Sequence, residues 1–100
     1  MRSVDDRFAA LRKATAEALL NSTADTPSDL RRAIAAGHSP DHLAGLLKKI
    51  RSRAYTVTDE DIDALRSRYS DDAIFEIIIV AAFGAAEERL AAARRALEDA

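Results

Sequence analysis

The sequence predicts an all-α fold, a compact bundle of about five helices ending in a long apolar one, and three observations carry that expectation. Alanine is the commonest residue, while Gly (3), Pro (2) and aromatic residues (5%) are scarce, a composition of helix formers and not of the β-branched and aromatic residues that strands favour. Helix starts are marked by Ser or Thr, several with an acidic residue three positions on. Apolar residues then recur at spacings of three and four, one face of a helix. A chain of 100 residues makes one domain, 1–100, at the length where a single core can just sustain a fold.

Ser3 with Asp6 opens the first predicted helix, whose stripe is Phe8, Leu11, Thr15, Ala18 and Leu19 and whose end is expected near Asn21. Residues 22–28 read as the loosest segment. Thr26-Pro27, with Asp29 in the box position, opens a short second helix carrying Leu30, Ala33 and Ile34, and Gly37 closes it. Ser39-Pro40 repeats the device for a third helix, with Leu43, Leu46, Leu47 and Ile50 opposite Lys48, Lys49, Arg51 and Arg53. Thr58 with Asp61 caps a short fourth helix bearing Ile62, Leu65 and Tyr69 inward. Ser70, Asp71 and Asp72 cap the fifth, 71–98, with their acids at the positive end of the helix dipole.

That last helix departs from the amphipathic pattern. From Ala73 to Phe83 only Glu76 interrupts an apolar run, until Glu87, Glu88, Arg89, Arg94 and Arg95 restore a polar face. A β-branched run also suits a buried strand, but this one flows without a breaker into a tail of Ala, Glu, Arg and Leu. An apolar stretch of about fourteen residues is too short to span a bilayer, which takes roughly twenty. A helix apolar on every side must be covered on every side, and four modest helices offer narrow stripes for the purpose. A homo-oligomer joined through the 71–98 helix is therefore expected. A monomer with that helix threaded through the bundle is the alternative.

Composition also excludes function classes. The net charge is -2, from 15 basic and 17 acidic residues with no basic run longer than a pair, so neither nucleic acid nor an anionic membrane is an expected partner. Cysteine is absent, which removes thiolate metal sites and cysteine nucleophiles. The first residues are polar and lead directly into a helical pattern, so a cytoplasmic location is expected.

The runs Ala54-Tyr55-Thr56-Val57-Thr58-Asp59-Glu60-Asp61-Ile62-Asp63-Ala64-Leu65, Tyr69-Ser70-Asp71-Asp72-Ala73-Ile74-Phe75-Glu76, Ala81-Ala82-Phe83-Gly84-Ala85-Ala86 and Arg89-Leu90 resemble the carboxymuconolactone decarboxylase and alkylhydroperoxidase-D-like superfamily, in particular its small cysteine-less members. The likeness covers about residues 40–98. It implies an all-helical fold whose protomers assemble through their apolar helices into dimers, trimers or hexamers. In the redox members of that group a Cys-x-x-Cys pair, followed four residues later by His, precedes the turn into the apolar helix. Counting back from Tyr69-Ser70 places Arg53, Thr56 and Glu60 at those positions, so the resemblance implies no peroxidase relay here. Arg68 also stands where such sequences carry Gly before the turn. Glu76 lies downstream of the family's proton-relay Glu and does not inherit its role.

Among candidate chemical residues, Glu76 stands first. A lone carboxylate amid Ile74, Phe75, Ile77, Ile78 and Ile79 is either raised in pKa by desolvation, as suits a general acid or base, or paired with an Arg of a neighbouring helix or subunit; the pairing is the better expectation. His38 and His42 are four apart, but Ser39-Pro40 separates them, so no metal site and no cofactor is expected. Tyr55 and Tyr69 flank the fourth helix and are candidates for orienting a ligand in a cleft, with structural packing the simpler role. Arg31-Arg32 and Lys48-Lys49-Ile50-Arg51 read as solvated faces. The expected function is a non-redox, self-assembling helical binding or scaffold protein with a protein partner or small apolar ligand. The alternative is a cysteine-independent acid-base enzyme of decarboxylase or isomerase style, acting on a small carbonyl or lactone through Glu76, Glu60, His42 or a tyrosine.

Overall fold

The computed structural model describes residues 4–21 and 24–99, with side chains from residue 9 onward. The chain is all-α: α1 (Val4–Asn21), α2 (Ser28–Ala35), α3 (Asp41–Arg53), a 3-10 turn (Ala54–Thr56), α4 (Asp59–Asp63) and α5 (Asp71–Asp99). There is no strand among the described residues, and the isoleucine run is helical. The expected Ser3 cap and the inward Phe8 side chain lie outside the described residues.

Local chemistry accounts for most boundaries. Gly37 adopts φ +91, and the bonds from its N–H to Ile34 O (3.0 Å) and from His38 N–H to Ala33 O (2.8 Å) close α2 in the 6→1, 5→2 pattern that a left-handed residue permits. Thr58 and Asp61 form the expected reciprocal box at α4. Ser70 Oγ accepts from Ala73 N–H (3.1 Å) at the head of α5. At α2 and α3 the residue that caps is Pro27 or Pro40, with no side-chain cap bond. Thr26 is the expected cap of α2, but the chain places it one residue before the cap, with its N–H and hydroxyl both donating to a carboxylate 50 residues away. Arg68, at the position where the resemblance expects Gly, has no positive φ, because the chain leaves α4 through a run of tight turns closed by Arg68 N–H and Tyr69 N–H on Leu65 O.

The core joins one face of α5 to α2, α3 and the α4 turn. Ile77, Val80 and Leu43 are fully buried, with Ile34, Leu46, Leu47, Ile50, Leu65, Ile74 and Ala81 around them. Each such large side chain contributes about 1.5–3 kcal/mol relative to exposure. The most extensive pairing is α2 with α5, and it is close because of Gly84. A Cβ there would lie 2.9 Å from Ala35 Cα and 3.0 Å from Ala35 C, and closer still to the Ala35 carbonyl oxygen. Glycine at this point lets the end of α2 rest against the α5 backbone.

The chain covers most of the apolar run of α5 and leaves one strip of the helix open. Ala73, Ile74, Ile77, Val80, Ala81, Gly84 and Ala85 are buried, whereas Phe75 is 63% exposed, Leu90 39% and Leu97 77%. Residues 92–99 are exposed on all sides. The free end of α5 stretches the molecule to 51 × 30 × 19 Å and its radius of gyration to 15.2 Å, against about 13 Å for a compact chain of this length. No helix among the described residues is long and apolar enough to cross a membrane.

Candidate functional site

The polar centre of the molecule is Glu76, on the flank of α5 facing the α1–α2 connection. Its Oε2 accepts from Asp25 N–H (3.0 Å), and its Oε1 accepts from Thr26 N–H (2.9 Å) and from the Thr26 hydroxyl (2.7 Å). Burial pushes this carboxyl up, but the Thr26 hydroxyl, the two backbone donors and the nearby Arg31 charge outweigh it and hold Glu76 below the usual carboxylate range. The Thr26 backbone N–H, which a capping box would have given to the Asp29 carboxylate, is thus spent on an acid from α5. The arrangement is a clasp. It fixes the chain between α1 and α2 against the last helix, and a carboxylate held ionised in this way is a poor proton acceptor near neutral pH. The expected Arg partner is replaced by backbone and hydroxyl donors, with Arg31 acting through its charge.

Arg31 departs from the solvated face expected of it. It is 3% exposed, and its Nη1 donates to Leu19 O (2.6 Å) in the last turn of α1. A guanidinium there meets carbonyls that the helix leaves without partners, at the negative end of the dipole. Arg32 stays outside, donating to Asn21 Oδ1 (2.9 Å) and pairing with Asp29. Arg12 of α1 reaches Glu87 of α5 at 3.3 Å. α1 is therefore tied down by polar contacts together with Leu20, which packs on the core. A signal for Arg31 exists in the sequence: it stands three residues before Ile34, on the same helical face.

Between α1 and α5 lies a cleft of about 190 Å³, lined by Ala18, Leu19, Phe75, Ile79 and Val80, with Glu76 and Arg31 at its polar edge. The other candidate residues lie elsewhere. His42 Nε2 and the Tyr69 hydroxyl are 2.7 Å apart and their rings stack at 5.7 Å between centroids, pinning the start of α3 to the turn before α5. Tyr55 is 85% exposed in the 3-10 turn. Arg53 ends α3, and its carbonyl accepts from the Thr56 hydroxyl (2.7 Å). Glu60 is exposed in the first turn of α4. Arg53, Thr56 and Glu60 thus occupy one turn region but converge on no common point. Glu76, Glu60 and His42 are likewise not brought together. Among the described residues no group of three His, Cys, Asp or Glu side chains is placed to hold a metal ion.

The fold and site define an all-α module with an internal polar clasp and an open strip on its longest helix. No protein-family model, curated protein or solved structure matches the chain.

Proposed function

We propose that the protein is a non-catalytic, self-assembling helical module that binds or scaffolds a partner, and that it uses the outer face of α5 to do so. The observation that carries this reading is the exposure of Phe75, Leu90 and Leu97 along one helix. Contiguous apolar surface of this kind marks interaction sites in soluble proteins. The committed state of Glu76 supports it from the other side, since the one carboxylate of the apolar segment serves the clasp. On the runs Tyr69 to Glu76 and Phe83 to Ala86 we place the chain with the cysteine-less carboxymuconolactone decarboxylase-like proteins, acting in the cytoplasm.

The test is light scattering on the purified chain across micromolar concentrations, beside Phe75→Glu and Leu90→Glu. Assembly of the parent, lost in both variants with helicity and melting cooperativity retained, is the expected result. A parent that stays monomeric throughout, or turnover of a small lactone that Glu76→Gln abolishes without loss of stability, overturns the reading.

A further inference from the structure

We infer that two copies of the chain pair through α5 in antiparallel orientation, about a two-fold axis passing at Ala86. This rests on the self-assembly reading and adds to it an orientation and a register. The outer face of α5 runs from Phe75 through Ile79, Ala82 and Ala86 to Leu90, Ala93 and Leu97. The successive spacings are four, three, four, four, three and four residues, the recurrence that keeps a seam on one side of a helix. The series reads the same in both directions from Ala86. Turned end for end against a second copy, Phe75 meets Leu97, Ile79 meets Ala93, Ala82 meets Leu90 and Ala86 meets itself.

Side-chain size follows the same symmetry. Ile79 against Ala93 and Leu90 against Ala82 set a large residue into the space left by a small one, as interdigitated packing requires. A parallel pair instead stacks Phe75 on Phe75 and Ile79 on Ile79 and leaves Ala82 and Ala93 facing their own kind. It also sets the acidic turn of Asp71 and Asp72 beside its own copy, and Arg94-Arg95 beside Arg94-Arg95. The antiparallel arrangement instead separates Arg94-Arg95 of one chain from those of the other, setting them opposite Ile78 and Ile77, and opposes the helix dipoles. Its geometry also seats Leu97 of the partner subunit beside Phe75 at the mouth of the 190 Å³ cleft.

The area is adequate for a reversible dimer. From Phe75 to Leu97 the strip is about 33 Å long and about 10 Å wide. With Ala18 and Leu19 along the cleft edge, the two copies together bury on the order of 1,000 Å², the lower end for a specific interface.

The absence of cysteine makes the register directly testable. At an interaxial distance of about 8 Å two Ala86 Cα atoms face each other within disulfide reach. Ala86→Cys under mild oxidation is expected to cross-link at least ten-fold faster than Ala92→Cys, which is exposed but lies off the stripe. Ala82→Cys mixed with Leu90→Cys is expected to give the mixed disulfide. Equal rates at 86 and 92 in a chain that light scattering shows to be dimeric would overturn the register and leave self-assembly standing. A chain monomeric at all concentrations would overturn both.

Discussion

Replacing Gly84 by Ala isolates the contact on which the fold turns. The added methyl falls 2.9 Å from Ala35 Cα and nearer to the Ala35 carbonyl oxygen, backbone atoms that cannot swing aside. α2 and α5 must separate by on the order of 1 Å to restore ordinary contact, and a gap of that size forfeits a quarter to a half of each dispersion well across it. Ile34, Ile77, Val80 and Ala81 surround the crossing and share the loss. Overpacking of this kind costs about 1–3 kcal/mol. Because the clash is with backbone atoms, the upper part of that range, about 2–3 kcal/mol, applies; against it stands the better helix propensity of Ala over Gly, about 1 kcal/mol, so the net is a destabilisation of about 1–2 kcal/mol. For a domain of this length each kcal/mol lowers the melting temperature by about 4–8 °C. Gly45→Ala supplies the control, because its added methyl meets nothing within 4 Å on the exposed side of α3 and leaves only the propensity gain of about 0.5–1 kcal/mol. Thermal and urea unfolding followed by circular dichroism should move the two variants in opposite directions. A Gly84→Ala protein as stable as its parent refutes the close-crossing argument.

Glu76→Gln puts an amide donor or a weaker acceptor opposite the donors of Asp25 and Thr26, and it is expected to lose about 1–3 kcal/mol in urea titration. Because the folded-state pKa of Glu76 is lowered, its contribution is present above its unfolded value and disappears as pH falls through the folded one. Stability should therefore decline below about pH 4.3, less steeply in the Gln variant; equal slopes would count against an ionised clasp. Arg31→Met removes the donor at Leu19 O, and amide exchange is expected to accelerate selectively in α1 while the α2–α5 core keeps its protection. Thr58→Ala breaks the box at α4 for about 1 kcal/mol, read as a fall in melting temperature of about 4–8 °C.

What the sequence discloses here is what neighbours in the chain decide. Thr58 and Asp61 are three residues apart, and Gly37 closes a turn with its own helix, so both devices are legible by inspection. Thr26 carries the same local signature as Thr58 yet serves Glu76, since a carboxylate brought up by tertiary packing takes the backbone N–H that a box would give to Asp29. No spacing rule reveals a partner 50 positions away. Arg31 beside Arg32 resembles any charged pair until the end of α1 arrives with unmet carbonyls. Gly84 likewise gives no sign of its role, because a helix crossing is a property of two segments. The apolar run of α5 announced that it needs cover on every side, and the chain itself supplies that cover to all but the strip at Phe75 and Ala82.

The manner in which α1 is attached has a consequence for how the molecule comes apart. Its ties are Leu20 against the core, the buried Arg31 bond to Leu19 O, the Arg12–Glu87 pair and the Arg32–Asn21 bond, and most of its described side chains face water. Polar ties at a surface weaken as ionic strength rises, whereas the apolar contacts of α2, α3 and α5 do not. Salt screens the Arg51–Glu88 and Lys49–Asp61 pairs as well, but the helices they join keep their apolar core when the pairs weaken. At high ionic strength α1 should come away first and widen the cleft beside Phe75, leaving behind a smaller folded body whose apolar seam is more open than before.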